Sequence, residues 1–273
     1  MENGIAIGVA ATGAVVVLDM RLNRAIEYDA ALEFTRSQPV PGMPLSVVSV
    51  DAGVVRALWM TFGPDGPDPR LGTIDMANGD VGSVVRIFEA SGLARPQSSS
   101  PFEPLFVSAA RTRDDGSAVG IGDEYRIVEL SSGGSILSSF GRPDLEVEPV
   151  PAERIAARRE AAARAEQRVG PPPPGLAAAR DASFSRPEPF FGPNAFATDE
   201  DGRLWVVTTR RGERTTEVDV FDADGRYRQT IELRDDVVAL AFRGDRLAVL
   251  VRRTRDDIDG FSGIDLYQVN RRT

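Results

Sequence analysis

A four-strand pattern, written about five times along 273 residues, constrains this chain more tightly than any other feature of it. The clearest copy, residues 195–233, is AFATDEDGRLWVVTTRRGERTTEVDVFDADGRYRQTIEL. It reads as strand, Asp-Gly turn, strand, polar loop, strand, Asp-Gly turn, strand. A fainter copy spans residues 4–37. A four-stranded unit recurring at a fixed period is the sequence signature of a β-propeller blade.

Two sets of markers fix the register. Tight-turn glycines between the first two strands fall at Gly13, Gly53, Gly116, Gly202 and Gly244, at intervals of 40, 63, 86 and 42 residues. The third strands AIEYD, TIDMA, IVELS, VDVFD and IDLYQ place Tyr28, Met76, Leu130, Phe221 and Tyr267 at matching positions. Gly225 closes the last turn of the clearest copy, where a tight hairpin requires φ > 0. The last unit, residues 237–270, reads as three strands. The fold expected is therefore an all-β propeller of four-stranded blades in one domain over residues 1–273. Five repeats are recognisable, and the ring is expected to be of a six-bladed type that lacks its N-terminal part.

Two long intervals predict insertions. Residues 63–72, GPDGPDPRLG, are dense in proline and glycine and predict a loop, and residues 91–101 predict a linker. Residues 151–169 are rich in Ala, Glu and Arg and predict a helix. Glu160 and Arg164 form an i,i+4 pair on it, and Ile155 is nearly its only large apolar residue. PPPPG at 171–175 predicts a stiff polyproline stop. Residues 151–187 thus form a helical, Pro-rich insertion between the third and fourth blades. It is either a solvated excursion or a lid or partner handle over one face.

Composition narrows the chemistry. The chain has no histidine, no cysteine and no lysine, so its 32 basic residues are all arginine. That removes disulfides, thiol chemistry, Schiff bases and the commonest general base and zinc ligand. A net charge of −9 argues against nucleic acid and anionic membranes as partners. The arginine clusters (Arg154, Arg158, Arg159; Arg210, Arg211, Arg214; Arg252, Arg253, Arg255) are interleaved with acids, as on a solvated mixed surface. No apolar run is long enough to span a bilayer. The opening MENGIAIGVAATGAVVVLDM lacks a basic n-region and reads as strands.

The segment DEDGRLWVV…VDVFDADGRYRQTIEL resembles the NHL-like repeats of bacterial six-bladed β-propellers, and residues 15–34 follow the same pattern with weaker turns. The run PEPFFGPNAFATDEDGRLWV, entered from a charged helical segment, extends the resemblance. It implies a periplasmic or cell-surface binding and scaffolding role, an export signal and a sixth blade.

In a propeller the first strand of each blade lines the central channel. The loops entering those strands, and the loops joining strands two and three, share one face. Here the entry loops supply Phe102, Glu103, Phe190, Phe191, Asn194, Asp235 and Asp236. The joining loops supply Arg21, Asn23, Asp123, Glu124, Arg210, Arg211, Arg252, Asp256 and Asp257. Phe102, Glu103, Phe191, Asn194, Arg210, Arg211, Asp235, Asp236 and Arg252 are the expected ligand-binding set. The structural alternative is that the phenylalanines cap the channel, the aspartates form turns and the arginines are solvated. The expected function is a non-catalytic scaffold recognising a protein, peptide or glycan, with no catalytic residue, metal or cofactor. The alternative is a calcium-dependent lactonase or lyase using the channel groups Asp51, Asp199 and Asn194. A serine hydrolase is disfavoured, because there is neither a histidine base nor a GxSxG elbow. No glycine-rich loop sits in a βαβ setting to hold a nucleotide.

Overall fold

The structure is a computed structural model that describes residues 5–63, 66–94, 106–147, 149–212, 215–255 and 258–269. Its described strands form five antiparallel sheets, each laid out in chain order. The first holds β1 (Ile5–Val9), β2 (Val15–Asp19), β3 (Arg24–Tyr28) and β4 (Phe34–Pro39); the second β5 (Met43–Asp51), β6 (Val54–Gly63), β7 (Gly66–Asp75) and β8 (Val81–Arg86). A short helix α1 (Ile87–Ser91) leads towards the third sheet, β9 (Val107–Arg111), β10 (Ser117–Ile121), β11 (Arg126–Leu130) and β12 (Ile136–Gly141). Helices α2 (Ala152–Val169) and α3 (Pro174–Ser183) precede the fourth sheet, β13 (Phe191–Thr198), β14 (Leu204–Arg211), β15 (Thr215–Phe221) and β16 (Tyr227–Arg234). The fifth has three strands, β17 (Asp236–Arg243), β18 (Arg246–Arg255) and β19 (Ile258–Gln268). No helix among the described residues is long and apolar enough to cross a membrane.

The sheets stack like the blades of a propeller because both of their faces are apolar. Strand alternation puts Val16 and Leu18 on one side of β2 and Val15 and Val17 on the other. The first sheet meets the second through Ala6, Val16, Leu18 and Ala25 against Val50, Val55, Trp59 and Ile74. The second meets the third through Leu58, Met60 and Leu71 against Val107, Val119 and Leu130. One continuous core joins the third, fourth and fifth. The first strands of successive sheets pack directly on one another, β1 on β5, β5 on β9, β9 on β13 and β13 on β17. Space there is scarce. A Cβ on Gly8 of β1 would land on the side chains of Val47 and Val50.

Most turn expectations hold. Gly13, Gly53, Gly202, Gly225 and Gly244 all have φ between 62° and 88°. Gly116 does not: its φ is −71°, and the left-handed conformation falls instead on Asp114 and Asp115. The third-strand markers Tyr28, Leu130 and Phe221 end β3, β11 and β15; Met76 follows β7 directly and Tyr267 lies in β19.

Three expectations need correction. Residues 63–72 are strand for most of their length, because β6 and β7 form a long hairpin paired from Val54↔Asp75 to Gly63↔Gly66. The prolines are tolerated because β8 pairs only with Arg70–Ile74, which leaves Pro67 and Pro69 on a free edge. The polyproline run does not end the helical region: Pro174 opens α3, where its missing N–H costs nothing. The ring has five blades, not six. The fifth sheet does not stack on the first as the others stack on their neighbours. Ile7 and Val9 of β1 and Ile264 and Leu266 of β19 are all more than half exposed.

Replacing Gly8 by alanine overpacks the junction of the first two sheets and is expected to cost about 1–3 kcal/mol. The same change at Gly192, where nothing lies within 4 Å of an added Cβ, should leave the melting temperature unchanged. Thermal unfolding of the two variants checks the contrast.

Candidate functional site

The chain runs up and down each sheet, so the loops after the second strands and the residues entering the first strands lie at one end. Phe102, Glu103, Asp256 and Asp257 fall outside the described residues. Phe191 opens β13 but is fully buried, its ring centroid 4.9 Å from that of Phe196 and 5.8 Å from that of Tyr125. It anchors the entry of the fourth sheet and presents no surface to a ligand, which corrects its place in the expected set. Phe190 packs on Tyr125 at 5.4 Å. Asn194 sits in left-handed conformation within the irregular stretch between Phe191 and Phe196. Beside it, the Ser108 hydroxyl of β9 donates to the Gly192 carbonyl (2.7 Å) and accepts from the Ala195 amide (3.0 Å), tying the third sheet to the fourth.

Arg210 points inward, into a network that sequence reading missed. Its centre is Asp219 of β15, with no exposed surface. The Asp219 carboxylate accepts from the Tyr125 hydroxyl (2.5 Å), Arg210 Nη2 (2.6 Å), Arg142 Nη1 (3.3 Å) and the Thr230 hydroxyl. Tyr125 and Arg142 belong to the third sheet and its exit; the others belong to the fourth. Burial, then the Asp219 charge, pushes the Tyr125 phenol well above its ordinary pKa. Arg142 is further held by two bonds to Asp144 (2.8 and 2.7 Å) and lies 3.9 Å over the Tyr227 ring. Those bonds lower the Asp144 carboxyl to about 2. A buried carboxylate surrounded by this many donors is a clamp between sheets. The one sequence signal was an aspartate between Val218 and Val220 in an otherwise apolar strand, pointing opposite to both.

A second charged cluster lies at the entry of the fifth sheet. Arg211, at the end of β14, ion-pairs with Asp236 at the start of β17. Asp236 lies directly across the ladder from Arg252 of β18. Burial lowers the Arg211 pKa first and the nearby Arg252 charge lowers it further, against a weaker pull from Glu188. Asp235 adopts a left-handed φ of 68°, accepts from Arg253 Nε at 2.7 Å and takes the Thr216 hydroxyl on its carbonyl. Arg253 also bonds Asp265.

The helical insertion reaches this cluster. Arg154 and Arg158 of α2 bind Glu188 at 3.1 and 3.3 Å. Arg158 also donates to the carbonyls of Phe184 and Arg186, and Arg186 bonds Asp123 in the β10–β11 loop at 2.6 Å. Arg211, Arg252, Asp235, Asp236 and Asn194 therefore occupy one end of the fourth and fifth sheets, with Glu188 linking them to the insertion. Arg21 and Asn23 lie in the β2–β3 turn of the first sheet and take no part in this cluster. Guanidinium groups crowded beside half-buried acids can take a carboxylate or carbonyl oxygen in planar, two-pronged fashion.

Calcium does not fit the groups expected to hold it. Asp51 pairs with Arg111 at 2.8 Å in the opposite-end turn of the second sheet. Asp199 is likewise in a first-turn position; it accepts from the amides of Asp201 and Arg203, from Arg203 Nε and from the Trp205 indole. Neither converges with Asn194. Among the described residues no group of three or more acidic side chains could hold a metal ion.

No protein-family model matches the chain. No curated protein matches it significantly. Solved structures do. A functionally unknown protein from Desulfotomaculum acetoxidans is 9% identical with a TM-score of 0.51, over 99% of this chain and 67% of that one. A streptogramin B lyase is 15% identical with a TM-score of 0.47, over 99% and 84%. The PQQ-bound aldose sugar dehydrogenase of Streptomyces coelicolor is 13% identical with a TM-score of 0.48, over 98% and 81%. At these identities the likeness is one of fold, and each activity stays with the protein that carries it. The expectation of an NHL-like six-bladed scaffold is corrected on two counts: the ring has five blades, and the matched structures whose names state an activity are enzymes, not scaffolds.

Removing the Asp219 carboxylate strands the buried ends of Arg142 and Arg210. Asp219→Ala is expected to destabilise the protein by about 3–5 kcal/mol in chemical denaturation. In Asp219→Asn the Tyr125 phenol loses the neighbouring charge that helps to raise its pKa. Its ionisation, read as phenolate absorbance, should move to lower pH. A raised pKa makes this contribution to stability complete below the ordinary tyrosine pKa and lost as pH climbs through the folded one.

Proposed function

We propose that this chain is an enzyme of lyase or lactonase type, with its site around Arg211 and Arg252 at the loop end of the fourth and fifth sheets. The observation that carries this reading is the approach of two guanidinium groups from neighbouring sheets, one of them half-buried, at the mouth where β17 begins. Charge repulsion and lost hydration disfavour that arrangement unless negative charge sits close by. Asp236 supplies part of it. A substrate carboxylate, or the oxygen of a carbonyl becoming an enolate or a tetrahedral oxyanion, supplies more. Preformed donors aimed at developing charge are the largest usual source of rate enhancement.

Proton transfer then falls to carboxylates, since the chain holds no histidine and no lysine. Glu188, Asp235 and Asp236 are the acids beside the arginines. Glu188 is held by arginines of α2, so the helical insertion forms one wall of the site. The protein, peptide or glycan ligand expected from sequence is recast here as a substrate bearing a carboxylate or an ester carbonyl. No step is routed through calcium, because the donor set does not fit it.

The test is turnover of a panel of lactones and carboxylate-bearing esters, followed by mass spectrometry. Arg211→Ala and Arg252→Ala are each expected to lower kcat/KM by about 10²–10³, while Arg21→Ala in the first sheet leaves it unchanged. A panel wholly inert to the wild-type protein, with no melting shift from any member, would overturn the reading. Calcium and EDTA are each expected to leave the melting temperature where it is; a rise with calcium would restore the metal-dependent alternative.

A further inference from the structure

We infer that β19 is a self-association edge, on which a second copy of this chain adds its own β19 in antiparallel fashion. In each of the other four sheets the third strand is paired on its outer side by a fourth: β4 on β3, β8 on β7, β12 on β11 and β16 on β15. Among the described residues the fifth sheet ends at β19. The second copy's β19 would take the position that the fourth strands take elsewhere, so the sheet continues across the interface.

The edge itself is unprotected. Strands β4, β8, β12 and β16 are 6, 6, 6 and 8 residues long, and each joins its neighbour through a ladder with a register shift. Short length and bulges are the usual devices that blunt an edge. Strand β19 has 11 residues and pairs with β18 without a shift from Arg246↔Gln268 to Arg253↔Phe261. A long, regular edge offers an unbroken row of backbone donors and acceptors.

The side chains favour a second copy as the occupant. Ile264 and Leu266 are 69% and 77% exposed on one face of β19. Register places them beside Leu250 and Ala248, which in turn face Ala239 and Ala241, so this whole face of the fifth sheet is apolar. An antiparallel pairing centred on Asp265 sets Ile264 opposite Leu266 of the second copy, and Leu266 opposite its Ile264. Such apolar cross-strand pairs are the unit of sheet stabilisation. The two Asp265 carboxylates then meet at the two-fold axis, where each is already engaged by Arg253 of its own chain. The pattern is self-complementary, as an isologous dimer requires.

Sedimentation velocity of the full chain across a wide concentration range tests this. A reversible dimer is expected, and the Ile264→Lys/Leu266→Lys variant should raise its dissociation constant by at least roughly tenfold with an unchanged circular dichroism spectrum. The chain has no cysteine, so a second variant reports the register. Ser262→Cys/Gln268→Cys should form covalent dimers on oxidation, and Ser262→Cys alone should not. A wild-type chain that stays monomeric overturns the inference. So does a dimer that survives the lysine changes, which would assign this edge to a strand of a different protein.

Discussion

Everything in this structure depends on the need of a twisted sheet with two apolar faces to bury both of them. A single such sheet cannot do so alone; a stack around an axis can. The demand is felt most near the axis, where first strands meet. Gly8 and Ala6 of β1 and Ala109 of β9 are small because neighbouring backbones converge there. Farther out the same interfaces take Trp59, Leu71 and Phe221. The gradient from small to large residues turns repeated hairpins into a ring. Where it stops, between the fifth sheet and the first, Ile7, Val9, Ile264 and Leu266 are left in solvent.

The same stacking decides where charge can go. Within the sheets polar groups survive only when surrounded by donors, as Asp219 is by Tyr125, Arg210, Arg142 and Thr230. That cluster spends Arg210 on holding two blades together. One residue further along, Arg211 reaches the strand ends instead and meets Asp236 and the neighbourhood of Arg252. Adjacent arginines in one sequence therefore have opposite duties. The helical insertion, linked to Glu188 through Arg154 and Arg158, brings further charge to the same end.

Much of this was legible because it is local. The φ > 0 turns at Gly13, Gly53, Gly202, Gly225 and Gly244, the third-strand markers and the Glu160–Arg164 pair on α2 all depend on residues within a few positions of one another. The failures have a different source. Residues 66–69 look like loop by composition, yet they extend β7 because β6 offers them a partner and β8 stops short. Phe191 resembles a ligand platform by position, yet the neighbouring sheet's Tyr125 covers it. Asp51 and Asp199 look like a channel pair, yet each is absorbed by an arginine in its own turn or the next blade.

The sequence by itself determined the repeating unit, its strand order, the turns and the end of the sheets at which the joining loops gather. These follow from alternation and turn chemistry, which act over a few residues. Only the tertiary structure decided that Asp219 is a buried clamp, that Arg211 and Arg252 converge, and that the first and fifth sheets keep one apolar face each in solvent. Those outcomes depend on which blade packs beside which, and at what distance. Contacts such as Tyr125 to Asp219, 94 residues apart in the chain, exist only once the stack has formed.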